Sequence, residues 1–174
     1  PEDDGGLGMG PVEGMVVMEE LGRGIVLEPL AQSLMAGGVL AGYADAAIKA
    51  AWLPKVASGE ALVVLAYQER AARYALDVCE AKATQAPGGY VVNAAKSLVP
   101  AGDQADAFIV PAKINSRLAL FLVDLQSCLL YTSPSPRDST IHRMPSSALK
   151  HTSITQDIPY VEQLRQDSRR RTTL

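Results

Sequence analysis

Ala44-Asp45-Ala46-Ala47-Ile48-Lys49-Ala50-Ala51-Trp52-Leu53-Pro54-Lys55-Val56-Ala57-Ser58-Gly59-Glu60, followed at once by Ala61-Leu62-Val63-Val64-Leu65-Ala66-Tyr67, holds the point where the periodicity of this chain changes. Ala44, Ala47, Ile48, Ala51 and Trp52 fall at the spacing that gathers side chains on one face of an α-helix, so they predict a buried stripe. Asp45 and Lys49, four residues apart, predict an ion pair on the outer face. Pro54 has no N–H to donate and is expected to perturb or end the helix. Past Ser58-Gly59-Glu60 the run Leu62 to Tyr67 is short and apolar, and reads as a strand.

Toward the N-terminus the helical pattern recurs. Pro11 to Leu21 has Pro at an accepted first-turn position, Val12, Met15 and Val16 on one face, and Gly22 and Gly24 as stop signals. Before it, Glu2-Asp3-Asp4-Gly5-Gly6-Leu7-Gly8 is loop-like, and with no opening Met the chain is expected to start inside a domain. Toward the C-terminus the pattern is that of strands. Cys79, Ala81 and Ala83 alternate with Glu80, Lys82 and Thr84. Pro87-Gly88-Gly89 supplies a turn, and Tyr90 to Val99 returns as a strand. Ala107 to Val110 and Leu118 to Val123 add two more, separated by polar Lys113 to Arg117. Helices first and strands second make an α+β chain: a helical bundle fragment over 1–57, a partial antiparallel β-barrel over 58–127, and an irregular tail over 128–174.

Charge supports the last of these boundaries. Residues 1–127 hold nine Lys plus Arg against fifteen Asp plus Glu, whereas 128–174 hold seven against four, so a net charge of −3 conceals two pieces of opposite sign. Cys79 and Cys128 have no CxxC or His-paired spacing, which argues against a metal site or disulfide framework, and Cys79 reads as a small buried apolar residue. No run of eighteen apolar residues and no signal-peptide pattern is present, which leaves a soluble cytoplasmic protein as the expectation. Gly5-Gly6-Leu7-Gly8 and Gly22-Arg23-Gly24 neither follow a strand nor open a helix, so neither reads as a nucleotide loop. Trp52, on its helix's apolar face, reads as core.

Several stretches in one order and spacing resemble a known family. Glu2 to Gly8, Met18-Glu19-Glu20-Leu21-Gly22-Arg23-Gly24 and Trp52 to Glu60 look like the N-terminal helical domain of the acyl-CoA dehydrogenases. Ala66-Tyr67-Gln68-Glu69, Gly88-Gly89-Tyr90-Val91-Val92-Asn93, Ala95-Lys96 and Ala105-Asp106-Ala107-Phe108-Ile109-Val110 look like that family's central β-barrel. The resemblance covers roughly residues 1–127 and is nearest the small-subunit, pimeloyl-CoA-dehydrogenase-like branch. It implies FAD as cofactor, an acyl-CoA substrate, a flavoprotein electron acceptor and a homo- or hetero-oligomer, with no nucleic acid and no membrane as partner.

The family's reaction removes an α proton from the thioester by a glutamate of its C-terminal helical domain, while the β hydride passes to the flavin. No carboxylate here matches that base by motif, so no catalytic residue is assigned, and the chain is expected to be an incomplete, inactive piece. The family's Thr-Glu-Pro-Gly-Ala-Gly-Ser-Asp stretch falls on Gln68, Glu69, Arg70, Ala71, Ala72, Arg73, Tyr74 and Ala75, where only the Glu is kept. Its second flavin stretch, an aromatic followed by Ile-Thr-Asn, falls on Leu98, Val99, Pro100 and Ala101. The resemblance thus implies Tyr67, Gln68, Tyr74, Leu98 and Pro100 as cofactor-facing positions. Arg70 and Arg73 read either as phosphate partners or as solvated loop charges. Pro100 and Ala101 lack side-chain hydrogen-bonding groups, which favours the alternative of a non-catalytic structural subunit of such an assembly.

The tail carries a different resemblance. Cys128-Leu129-Leu130-Tyr131-Thr132-Ser133-Pro134-Ser135-Pro136-Arg137-Asp138 looks like the in-frame translation of a transposase-type sequencing adapter, and Arg143 to Ala148 matches the adapter's far end. Residues 132–150 are then expected to be irregular, with neither His142 nor His151 in a convergent polar site, and the strand ending near Val123 is free to extend into Cys128 to Tyr131.

Overall fold

The structure, a computed structural model, describes residues 2–72, 75, 78–86 and 89–125, together with the placement of two short strands, Ile154–Gln156 and Glu162–Leu164. The Pro87-Gly88 turn, Arg73, Tyr74, Cys128, the adapter-like stretch and both histidines lie outside the described residues.

Three helices come first. α1 (Pro11–Arg23) starts with Pro at its first turn, and the Glu13 carboxylate reaches back to accept from the Gly10 N–H at 2.8 Å. It runs through Gly22. Gly24 closes it in a right-handed conformation, and the left-handed position falls on the next residue, Ile25, at φ 52°. α2 (Leu30–Tyr43) buries Ala36 and Leu40. α3 (Ala46–Ser58) ends on Gly59 at φ 77°, a conformation that glycine adopts without strain.

α3 departs from expectation in three ways. Asp45 is the N-cap and accepts from the Ile48 N–H at 2.9 Å, so its carboxylate satisfies an orphan donor of the first turn instead of pairing with Lys49. Pro54 lies inside the helix, which continues past it to Ser58. Of the five stripe residues, Ala44 and Ile48 are buried and Trp52 is half-buried, but Ala47 and Ala51 are exposed. Leu53 and Val56 turn inward instead, because larger aliphatic side chains gain more from burial than alanine does.

Five strands follow: β1 (Val63–Leu65), β2 (Lys82–Ala86), β3 (Gly89–Ala94), β4 (Ala107–Ile114) and β5 (Arg117–Asp124). β2–β3 and β4–β5 are antiparallel hairpins. β1, however, runs parallel to β4, Val63 to Leu65 lying opposite Ala107 to Ile109, and β2 meets β4 in parallel at Lys82 and Lys113. The sheet is therefore mixed and open, not purely antiparallel. Alternation of apolar and polar residues is the same for either strand direction, and the long excursion between β1 and β4 frees the pair from the antiparallel geometry a tight turn imposes.

β4 is covered on both faces. Ala107 and Ile109 face the helices with Val63, Leu40, Ile48 and Leu53, while Phe108, Val110 and Ala112 join Val64, Ala83, Val92 and Phe121 on the other side. That is why Ala107 to Val110 reads as an unbroken apolar run. Cys79, Ala81 and Ala83 are buried and Glu80, Lys82 and Thr84 exposed, as their alternation predicts. The rings of Tyr90 and Phe121 meet edge to face at 5.4 Å. From the region expected to form only an irregular tail, β6 (Ile154–Gln156) pairs antiparallel with β3 and β7 (Glu162–Leu164) with β5. Both add to strands that would otherwise be edges, whose unpaired N–H and C=O groups accept any extended segment.

Candidate functional site

After β1 the Ala66 N–H still donates to the Ile109 carbonyl at 2.9 Å, so the chain leaves the sheet only at Tyr67. The three residues that follow diverge: Tyr67 is 48% exposed, Gln68 is half-buried, and Glu69 is 4% exposed. A tight turn closes behind them, with the Ala72 N–H donating to the Glu69 carbonyl at 3.1 Å. Arg70, at the turn, is exposed.

Four donors meet the buried carboxylate of Glu69. Lys96 Nζ donates to its Oε1 at 2.5 Å and the Glu80 N–H to its Oε2 at 2.6 Å. The Ala81 N–H reaches Oε1 at 3.3 Å and Cys79 Sγ reaches it at 3.6 Å. Lys96 arrives from the end of β3, where Val92, Ala94 and Lys96 point inward in turn. Its side chain is 2% exposed and that of Glu69 5%, so the pair is cut off from water. Burial pushes the Glu69 carboxyl up, but the Lys96 hydrogen bond, the Glu80 N–H and the Lys96 charge together outweigh it and hold the group below its ordinary value. Burial raises the Cys79 thiol, and the neighbouring Glu69 charge adds to that against the opposing pull of Lys96. Cys79 is therefore a protonated, inert thiol, in keeping with its reading as a core residue.

The loop after Lys96 brings the second candidate segment alongside the first. The Ser97 N–H donates to the Gln68 carbonyl at 2.9 Å. Leu98 then adopts φ 53° with its side chain 78% exposed, and Ala101 adopts φ 55°. Pro100 is exposed, and the Gly102 N–H closes the turn onto the Val99 carbonyl at 3.2 Å. Tyr67, Gln68, Leu98 and Pro100 thus occupy two adjoining segments, whereas Tyr74 lies outside the described residues. No motif in the sequence links Glu69 to Lys96. The alternation of Val92, Ala94 and Lys96 signals half of the pair, since a lysine on the inward parity of a strand needs a buried partner.

α2 and α3 on one face of an open mixed sheet, with the 67–69 bend and the 97–102 loop side by side at its end, are an arrangement consistent with the N-terminal and middle domains of an acyl-CoA dehydrogenase. Residues 1–60 match the family model for the acyl-CoA dehydrogenase N-terminal domain. The mitochondrial isovaleryl-CoA dehydrogenase of Arabidopsis thaliana is 33% identical over 120 residues, 67% of this chain and 29% of that protein. The structure of the ChsE4–ChsE5 complex from Mycobacterium tuberculosis is similar at a TM-score of 0.63 and 30% identity, over 71% of this chain and 33% of the other. PigA, solved as an FAD complex, is similar at a TM-score of 0.54 and 25% identity, over 56% of this chain and 27% of the other. The family relationship to the acyl-CoA dehydrogenases is thereby shown for this chain, which spans about a third of the length of the proteins it matches.

Proposed function

We propose that this chain supplies the helical part, up to about residue 57, and the middle sheet, from 58 to about 127, of a flavin-dependent dehydrogenase that oxidises an acyl-CoA thioester across its α,β bond. Tyr67, Gln68, Tyr74, Leu98 and Pro100 are proposed to face the flavin. The observation that carries this reading is the 2.9 Å bond from the Ser97 N–H to the Gln68 carbonyl, because it sets two flavin-stretch equivalents against each other from positions far apart in the chain.

The residues present suit such a cofactor in kind. An isoalloxazine is a flat ring with apolar faces and a polar edge; Leu98 and Tyr67 offer exposed apolar and aromatic surface, and Gln68 an amide that both donates and accepts. Bound there, FAD would supply the hydride acceptor. The described residues would hold and orient it and shield one side from water. Proton abstraction is not assigned to them: Glu69, the carboxylate nearest the two segments, is buried and already neutralised by Lys96. The reading includes an electron-accepting flavoprotein partner, an oligomer, and a cytoplasmic setting. No helix among the described residues is long and apolar enough to cross a membrane.

Titrating the chain into FAD and following the flavin's visible spectrum and fluorescence tests this. Binding in the micromolar range with no dye reduction on adding acyl-CoA is expected. Turnover by the chain alone would overturn the assignment of the base elsewhere. Pro100 and Ala101, which offer no side-chain donor, favour a second reading as a structural subunit, and no FAD binding would select it.

A further inference from the structure

We infer that Glu69 and Lys96 are positioning residues for the flavin-facing surface; this rests on the flavin reading proposed above. Each is next to one of the two candidate segments. Glu69 follows Tyr67-Gln68 directly, and Lys96 precedes Ser97-Leu98 directly. Their side chains are the one buried ion pair among the described residues, and the Ser97 N–H to Gln68 carbonyl bond lies immediately beside it.

The carboxylate does more than pair with the lysine. By accepting from the Glu80 and Ala81 N–H groups as well, it ties the 67–69 bend to the entry of β2, and the Ala81 carbonyl in turn accepts from the Lys113 N–H of β4 at 2.8 Å. One buried oxygen pair therefore anchors the bend to the rigid centre of the sheet and then, through Lys96, anchors the Leu98–Ala101 loop to the bend. The loop needs such an anchor. Leu98 and Ala101 both hold left-handed backbone, which side-chain-bearing residues leave unless surrounding contacts retain them. Leu98 is 78% exposed and Pro100 is exposed, so their side chains contribute little of that retention, and Val99 and Ala101 add only the packing of half-buried side chains against the core. Fold stability alone is a weak reason for the pair, since apolar replacements of a buried ion pair commonly serve stability as well or better.

The test is the double substitution Glu69→Gln/Lys96→Met in the whole chain. Glutamine keeps one carbonyl oxygen to accept from the Glu80 N–H, the shorter of the two backbone bonds, so β2 keeps its main anchor and loses only the longer bond from the Ala81 N–H, and methionine fills the lysine's volume without a charge. Three measurements are made: the thermal midpoint, amide hydrogen exchange by segment, and FAD affinity. The expected result is a midpoint near that of the parent, exchange of the 97–102 amides faster by about tenfold or more with β4 and β5 unchanged, and FAD binding weaker by about tenfold or more. A role confined to holding the fold together would instead lower the midpoint and speed exchange across the sheet. Unchanged loop exchange, or unchanged FAD affinity in a chain that binds FAD, overturns the positioning role alone. A parent chain that binds no FAD overturns the flavin reading and this role with it. If the double variant does not fold, Glu69→Gln alone decides: its midpoint falls, because Lys96 is left buried without its counter-charge, and 97–102 exchange that quickens more than exchange in β4 and β5 supports the role, whereas a uniform rise across the sheet or parent-like loop exchange overturns it.

Discussion

Lys96 Nζ stands 2.5 Å from Glu69 Oε1 inside the sheet, joining two chain segments whose sequence separation is 27 residues. Charges this far from water are costly unless each meets its complement, and here each does. Removing one member alone should therefore cost far more than removing both. Lys96→Met is expected to lower unfolding free energy by about 3–5 kcal/mol at neutral pH, because the Glu69 carboxylate is left buried without its cation. Urea unfolding followed by circular dichroism checks this. A loss below about 1 kcal/mol would mean that the carboxyl takes up a proton or water at little cost.

The same pair makes stability depend on pH in a stated direction. The folded-state value of Glu69 is held below its ordinary one, so the unfolded chain binds this proton more readily than the folded chain does. Its contribution is fully present above the ordinary carboxylate range and is lost as pH falls through the folded value. Between pH 7 and pH 3 the denaturation midpoint should fall, and Glu69→Gln should flatten part of that fall. A curve for Glu69→Gln that parallels the parent throughout would show that other carboxylates carry the dependence.

Ile25 is a β-branched residue at φ 52°, and it is 80% exposed. The chain closes α1 here with the Val26 N–H donating to the Leu21 carbonyl at 2.9 Å, a geometry that needs a left-handed residue between helix and exit. Glycine takes that conformation freely, and little buried surface is lost by removing an exposed side chain. Ile25→Gly is expected to stabilise the chain by about 1 kcal/mol, the left-handed strain relieved exceeding the extra entropy of the unfolded glycine. A lowered midpoint in thermal or urea unfolding would contradict this.

Asp45→Ala should cost about 1 kcal/mol, since the Ile48 N–H would lose its acceptor at the first turn of α3. Asp45→Asn should recover most of it, because an amide oxygen caps nearly as well. Equal losses for the two substitutions would point to charge and not capping as the contribution. Lys49→Ala, by contrast, should change stability little, since the carboxylate faces the helix end and not the lysine.

Much of this architecture is legible in the residues, and the gaps have identifiable causes. The Cys79–Thr84 alternation is reproduced side chain by side chain, because a strand half covered by core has only one apolar face to offer. Strand direction is not encoded in such alternation, so the parallel pairing of β1 with β4 could not be read from it. Alanine is small enough for either side of a helix, which is why Ala47 and Ala51 gave a misleading face for α3. At the candidate site, resemblance marks the two segments but not the ion pair between them. Lys96 keeps strand parity and could have been suspected, whereas the chain bends after Tyr67 and no periodicity carries across a bend to show that Glu69 turns inward.

α1 buries none of its residues, and Val12, Met15 and Val16 are 65%, 64% and 52% exposed on the face their spacing predicts. A helix with one apolar stripe normally turns it toward a core, so this stripe leaves apolar surface in water, and Met9 and Leu27, before and after the helix in sequence, are 65% and 92% exposed as well. Chains bearing such a patch associate through it at raised concentration. Replacing Val12, Met15 and Val16 together by Gln should move the chain toward a single small species in light scattering and raise its soluble yield. The unfolding midpoint should scarcely change, because exposed side chains contribute little burial to the folded state. A substantial drop in midpoint would instead show that the stripe is covered within the chain in solution. Unchanged association would place the sticky surface elsewhere, with the open edges of the sheet the next place to look.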